Sequence, residues 1–279
     1  MGSVPLELDT ELPPGAWDSH VHVVDESTQG VAHSCIVAFS VYKNDNSSIL
    51  DALLRLGGRG RAVACIDPET VTEEELRQLH EAGVRGVRIN LKTTCTRIDT
   101  NDLAELLQKY ARRIRPYNWA IQLFVALDQV PQLVDIVPKI GLPVILDHIA
   151  DPNPSKGLVQ KQEGYEEFMG LLRSGLVWTK LSGTYRFEGV PGLDEYVISI
   201  LQTAPDRVVW ASDWPHSGGV SANPGGDRNK MQDYRQIDDQ AWIARCKAWC
   251  QKASTNGEDL VRKIWVDNPR KLWQYGADD

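Results

Sequence analysis

The residues best suited to chemistry begin with a pair of histidines near the start of the chain. His20 and His22 are separated by one residue in the segment DSHVH. Alternate side chains of a β-strand point to the same face, so we expect Asp18, His20 and His22 to share one face. Two imidazoles placed in this way can both contact one metal ion or one substrate. The alternative is a pair of surface histidines at the end of a strand.

Two further candidates stand at the ends of later apolar runs. His148 closes the run ILDH, and Asp213 closes the run VVWASD. A carboxylate at the end of a strand can hold a metal ion or take a proton from attacking water. The alternative for each side chain is a capping role in a turn. We expect Asp147 to point away from His148 into structural hydrogen bonds, and His216 to be either a supporting partner of the site or a loop histidine.

Basic and polar side chains near the same strand ends could bind an anion. Arg88 and Asn90 share one face of the run GVRINL. An unpaired arginine inside a protein is costly, so Arg88 needs either a protein carboxylate or an acidic substrate as its partner. Arg186, which follows the run WTKLSG, is a second candidate anion binder, and its neighbour Tyr185 could line the pocket. Lys180, within that run, is the less favoured candidate.

Eight short apolar runs must position these residues. They occupy residues 17–24, 34–39, 61–66, 86–91, 119–125, 143–148, 177–183 and 207–213. Amphipathic stretches between them predict helices over 45–57, 72–83, 102–114, 130–141, 165–175 and 193–204, and the tail from about residue 238 also has a helical pattern. Eight strand–helix repeats favour a closed (β/α)8 barrel, an α/β fold of the TIM type, over an open sheet.

Bulk composition limits the possible partners. The 279 residues are 42% hydrophobic and 24% charged, which is typical of a globular protein. We predict one barrel domain over residues 15–279 after an N-terminal extension, 1–14. The net charge of −8 argues against nucleic-acid or anionic-membrane binding. Five dispersed cysteines indicate reduced thiols, and no signal-peptide pattern is visible, so we expect a cytoplasmic protein. The sequence is compatible with a homo-oligomer.

The ordered segments resemble a known group of enzymes. DSHVH, GVRINL, ILDH, WTKLSGTYR, VVWASDWPH and VDNPRKLWQY are similar to the amidohydrolase-related branch of the amidohydrolase superfamily, from about residue 15 to 276. Within this branch they look most like the 2-pyrone-4,6-dicarboxylate lactonase and sugar-lactonase group. The resemblance implies a (β/α)8 barrel that holds substrate carboxylates with Arg88 and Arg186. It also implies a site lined by His20, His22, His148 and Asp213.

The resemblance leaves the need for a metal open. Gln122 stands on the fifth strand, where metal-dependent relatives often carry a histidine. His20, His22, His148 and Asp213 could still bind one Zn²⁺. Some relatives in this group hydrolyse lactones without a metal. No organic cofactor is expected.

The leading hypothesis is a hydrolase that opens a lactone, or a related activated ester, of a small carboxylate-bearing substrate. Asp213 would act as general base, and the three histidines would polarise the carbonyl with or without zinc. One alternative is a zinc-dependent non-oxidative decarboxylase on the same barrel, and another is a non-catalytic barrel that binds a small acid or a protein. The residues expected to bind the substrate are Arg88, Asn90, Tyr185, Arg186 and His216.

Overall fold

In the computed structural model, eight parallel strands follow one another around a single sheet. The structure describes residues 9–22, 30–39, 42–92, 98–187, 189–216 and 235–276. Each strand pairs with the next one along the chain. The strands are β1 Trp17–Val21, β2 His33–Val37, β3 Gly60–Ala64, β4 Val84–Asn90, β5 Ala120–Phe124, β6 Val144–Leu146, β7 Val177–Leu181 and β8 Val208–Trp210.

The sheet closes between β1 and the segment that follows β8. The backbone N–H of Asp213 donates to the carbonyl of His20 at 3.0 Å, and that of His22 donates to the carbonyl of Trp214 at 2.9 Å. Val21 and Trp214 form a parallel bridge at the same seam. The predicted (β/α)8 barrel of the TIM type is confirmed, because an open sheet would leave these edges unpaired.

Helices cover the outside of the barrel. They are α1 Ser47–Leu56, α2 Glu73–Ala82, α3 Thr100–Ile114, α4 Val137–Ile140, α5 Tyr165–Arg173, α6 Leu193–Thr203, α7 Asp239–Ala253, α8 Gly257–Arg262 and α9 Asn268–Leu272. A π-helical turn, Lys263–Asp267, joins α8 to α9. Short 3-10 helices lie at Arg115–Tyr117, Leu127–Leu133, His148–Ala150, Pro154–Lys156, Val159–Lys161, Thr184–Arg186 and Pro205–Arg207.

Local sequence signals set the helix ends in most places. The backbone N–H of Glu75 donates to the Thr72 hydroxyl at 3.1 Å, and the Glu75 carboxylate accepts from the Thr72 N–H at 2.7 Å, which is a capping box at the start of α2. The single helix predicted over 130–141 is wrong. Pro131 and Pro138 lack a backbone N–H, and the segment forms a 3-10 helix followed by the one-turn helix α4.

Apolar side chains fill the barrel interior on the side away from the strand carboxyl ends. This interior core contains the large residues Trp17, Ile145, Trp178, Val209 and Trp273. A second and larger core lies between the strands and the helices. Because the lower interior is apolar, polar side chains concentrate at the carboxyl ends of the strands.

Several expectations about the chain as a whole can be compared with the described residues. Cys35, Cys65, Cys246 and Cys250 are buried free thiols, while Cys95 lies outside the described residues. Within the described ranges, every helix is too short or too polar to cross a membrane. The predicted N-terminal extension and the domain boundaries stay predictions. Residues 1–8 and 277–279 lie outside the described part, and Asp9 forms an ion pair with Lys247 of α7 at 2.5 Å.

Candidate active site

Four of the predicted site residues meet at the carboxyl end of the barrel. Asp213 Oδ1 lies 3.6 Å from His20 Nε2 and 3.7 Å from His22 Nε2. Asp213 Oδ2 lies 3.9 Å from His148 Nε2. The side chains of His20 and His148 are fully buried, and those of His22 and Asp213 are 6% and 2% exposed. Strand ends that are remote in sequence therefore form one compact cluster.

Strand β1 presents both histidines through an irregular backbone. Its pairing with β2 shifts register between Asp18 and Val21, so one extra residue enters β1. The Asp18 carboxylate accepts hydrogen bonds from the backbone N–H groups of His20 and Ser212, both at 3.1 Å. Trp17 belongs to the interior core, so its neighbour Asp18 points to the opposite face of β1. The prediction that Asp18 shares a face with His20 and His22 is wrong, because the register shift breaks strict alternation.

A left-handed turn after β6 brings two neighbouring side chains into the site. Residues 148–151 have φ values of 51°, 50°, 57° and 45°. Asp147 accepts a hydrogen bond from Gln122 Nε2 at 3.0 Å, and its Oδ1 lies 3.5 Å from His20 Nδ1. The prediction that Asp147 points away from the site is wrong. Asp147 follows Ile145 by two residues, and side chains two apart on a strand share one face. Because Ile145 belongs to the interior core, this spacing could have predicted that Asp147 points into the barrel.

The fully buried Lys180 compensates the negative charge of Asp147. Lys180 Nζ donates to Gln122 Oε1 at 2.7 Å and to the Ser19 carbonyl at 3.0 Å, and lies 3.7 Å from Asp147 Oδ1. Burial lowers the pKa of Lys180, although Asp147 opposes this shift. Gln122 and Lys180 therefore form a polar layer under the cluster, and their contacts with each other and with Asp147 were not predicted from the sequence.

The three imidazoles are neutral and surround an ionised carboxylate. The His22 Nδ1–H must donate to the Val37 carbonyl, 2.7 Å away, so the lone pair of the neutral ring lies on Nε2, toward Asp213. Burial lowers the pKa of His22 to about 4 and of His148 to about 3, and it holds the pKa of His20 well below its ordinary value. Burial opposes the charge of Asp213, but the Arg186 guanidinium, 3.3 Å from Oδ2, holds the pKa of that carboxyl below its usual range.

Tyr185 and Arg186 contact the other side of Asp213. The Tyr185 hydroxyl donates to Asp213 Oδ2 at 2.6 Å, and Arg186 Nη2 lies 3.3 Å from the same oxygen. Arg186 Nη2 also donates to the Tyr185 hydroxyl at 2.9 Å. His216 packs edge-on against the Tyr185 ring at 5.7 Å, and its Nε2 lies 3.2 Å from Asp239 Oδ2. The structure thus places His216 behind Tyr185 rather than beside the other histidines.

Arg88 and Asn90 line the same end of the barrel from β4. Arg88 pairs across the sheet with Gln122, and Asn90 pairs with Phe124. Arg88 Nη1 donates to the Ala38 carbonyl at 3.1 Å, and its Nε lies 3.9 Å from Asp147 Oδ2. The buried Arg88 therefore has a protein carboxylate nearby, which was one of its two expected partners.

Two cations flank an aromatic ring at the mouth of the site. Arg186 Cζ and Lys92 Nζ each lie 5.3 Å from the centroid of the Phe124 ring. Lys92 forms an ion pair with Asp151. Burial lowers the pKa of Lys92 to about 8, and the nearby Arg186 contributes to the shift. Lys92 is not among the residues predicted to bind the substrate, and its place just after the end of β4 is the sequence signal that could have found it.

The nitrogen and oxygen atoms of the cluster fit a metal ion. His20, His22 and Asp213 each offer a ligand atom, and these atoms lie within 4.8 Å of one another. Ligand atoms of a tetrahedral Zn²⁺ with bonds of about 2.05 Å stand roughly 3.3 Å apart, a few tenths less than the distances from Asp213 to the two imidazoles. Among the described residues, the buried Nε2 atoms of His20 and His148 have no hydrogen-bond partner.

The comparisons with known proteins agree on one family. The amidohydrolase family profile matches residues 21–274. A 4-sulfomuconolactone hydrolase from Rhizobium radiobacter is 30% identical, covering 94% of this chain and 91% of its own. A 2-pyrone-4,6-dicarboxylate hydrolase from Comamonas testosteroni is 26% identical, covering 96% and 93%. The fold matches that of a candidate 2-pyrone-4,6-dicarboxylic acid hydrolase from Pseudomonas putida, with a TM-score of 0.73, 24% identity and coverage of 95% and 99%.

Proposed function

Because this chain belongs to the amidohydrolase family, we propose that it hydrolyses a lactone, or a related activated ester, that carries an acidic group. The observation that carries the proposal is the buried Asp213, which faces neutral imidazoles on one side and the cation Arg186 on the other. The relatives named for sulfomuconolactone and pyrone dicarboxylate hydrolysis support the reaction class. They do not favour the decarboxylase or the non-catalytic alternatives.

Cations at the mouth would recognise the acidic group. Arg186 is 26% exposed, and its buried Nε has no hydrogen-bond partner in the part of the chain that the structure describes. It can therefore donate to a substrate carboxylate or sulfonate while it stays close to Asp213. Arg88 and Lys92 add positive charge on the β4 side, and Asn90 would add a polar contact there. His216 would act indirectly, by supporting Tyr185.

Asp213 would move the proton during ring opening. One of its oxygens takes a proton from water while the water oxygen bonds to the lactone carbonyl carbon. His148 would donate from Nε2 to the developing oxyanion, in the tautomer whose Nδ1 accepts from Ser182 Oγ, 2.8 Å away. The ring C–O bond then breaks, and the proton passes from Asp213 to the leaving oxygen. The product is an open chain with one more carboxyl group.

The same cluster would hold a zinc ion. The ligands would be Nε2 of His20, Nε2 of His22 and a carboxylate oxygen of Asp213, with His148 beside them. Zinc held by these ligands would supply a Lewis acid for polarising the lactone carbonyl. The neutral state of the three imidazoles suits this role, because a protonated imidazole cannot ligate a metal.

Asp213→Asn tests the proposal, with Asp51→Asn as its matched control. Asp51 is 60% exposed on α1 and lies outside the cluster. With 2-pyrone-4,6-dicarboxylate and 4-sulfomuconolactone as probes, we expect hydrolysis by Asp213→Asn to fall by about 10²- to 10⁴-fold and by Asp51→Asn to stay at the wild-type rate. Elemental analysis should find zinc in the wild type and a reduced content in Asp213→Asn. Wild-type turnover by Asp213→Asn would exclude the proposed base.

A further inference from the structure

The two oxygens of Asp213 lie in different surroundings. Oδ2 accepts the short hydrogen bond from Tyr185 and lies within 3.3 Å of Arg186 Nη2. Oδ1 faces Nε2 of His20 and Nε2 of His22, at 3.6 and 3.7 Å. One of these nitrogens, that of His22, carries a lone pair and cannot donate a hydrogen bond. Oδ2 is therefore the tethered oxygen, and Oδ1 is the oxygen that faces the two imidazoles, where it can accept a proton or ligate zinc.

Tyr185 is itself held rigidly. Arg186 Cζ and Arg235 Cζ each lie 4.9 Å from the centroid of its ring, and His216 packs edge-on against it. Arg186 Nη2 donates to the phenol oxygen, which leaves the phenol proton for Asp213. A ring fixed by these neighbours can fix the carboxylate that it contacts.

We infer that Tyr185 is a positioning residue, which tethers Oδ2 of Asp213 and thereby holds Oδ1 towards Nε2 of His20 and Nε2 of His22. The inference rests on the proposed lactone hydrolysis and adds a role to it. Without the phenol, the carboxylate can turn about its Cβ–Cγ bond. Among the described residues, Oδ2 then keeps the longer contacts with Arg186 Nη2 and His148 Nε2, at 3.3 and 3.9 Å. A direct contact between Tyr185 and the substrate, the role expected from the sequence, would have different kinetic consequences.

Tyr185→Phe separates the two roles because it removes only the hydroxyl and keeps the ring. With whichever of the two probe lactones the wild type opens, we expect kcat to fall about ten- to a hundredfold while KM stays within twofold. A second measurement addresses binding alone. In the slow Asp213→Asn background, calorimetry should give the same lactone Kd, within twofold, with Tyr or Phe at position 185.

Tyr110→Phe is the matched control for loss of a partly buried phenol hydrogen bond. The Tyr110 hydroxyl donates to the Ile66 carbonyl at 3.0 Å, outside the cluster. This variant should keep the wild-type kcat, and its melting temperature shows what the loss of such a hydrogen bond does to stability. An unchanged kcat in Tyr185→Phe, or a rise in KM matched by a weaker Kd, would overturn the inference while leaving the proposed hydrolysis intact. A wild type that opens neither lactone would contradict the proposed function, and the inference would fall with it.

Discussion

Replacing Lys180 by Met should cost the protein a large part of its stability. The Lys180 side chain has no exposed surface, and its ammonium group contacts Gln122, the Ser19 carbonyl and Asp147. Methionine fills a similar volume, so the packing change is small. The charge of Asp147, however, would remain buried without its nearest lysine. Removing one partner of a buried ion pair costs about 3–5 kcal/mol, and we expect a loss of that size in the free energy of unfolding.

Urea unfolding followed by tryptophan fluorescence can measure this loss. Lys139→Met is the matched control, because Lys139 is an exposed lysine of α4, and it should change the free energy of unfolding by less than about 0.5 kcal/mol. Adding Asp147→Asn to Lys180→Met removes the uncompensated charge. We expect the double variant to be more stable than the sum of the two single changes predicts, by about 2 kcal/mol.

Two results would refute this reasoning. If Lys180→Met unfolds within about 1 kcal/mol of the wild type, the buried ammonium group does not compensate for Asp147. If the two substitutions are additive, Lys180 and Asp147 do not interact, whatever the cost of each alone. In either case, the polar layer under the cluster would need a different electrostatic explanation.

Two further predictions concern Gly183 and the buried histidines. Gly183 has a φ of 68°, and a Cβ added there would lie 3.0 Å from both His148 Nδ1 and Arg186 Nε. Because such a Cβ would displace these two side chains, Gly183→Ala should lower kcat/KM for the probe lactone at least about tenfold. Gly189→Ala, at a φ of 74° with no neighbour within 4 Å, should keep the wild-type kcat/KM, and equal losses in both variants would contradict the idea. For the metal-free protein, the free energy of unfolding should fall as the pH drops from about 6.5 towards 4. In the folded protein, His22 and His148 have pKa values of about 4 and about 3, so they stay unprotonated over most of this range. In the unfolded chain the same imidazoles take up protons, which favours the unfolded state. Thermal melts in chelator between pH 8 and 4.5 measure this trend, and a melting temperature that stays constant over the range would disprove it.

The order of the strands and the rim on which the site lies were predictable from the sequence. Each apolar run was readable from its own residues, and the capping box at Thr72 follows from residues three apart. Eight parallel strands in one barrel end at the same rim, so side chains at the ends of several runs had to meet. This rule placed His148 and Asp213 near His22 without any knowledge of contacts.

The pairing of side chains around that rim was not predictable from the sequence, because it depends on contacts between strands. The register shift in β1 depends on its pairing with β2, and it separates Asp18 from the cluster. The ion pair of Lys180 with Asp147 joins two strands through the barrel interior. Local periodicity describes only which face a residue occupies along its own strand. Which charges neutralise each other depends on distances across the barrel, because burial makes an unpaired charge too costly to leave alone.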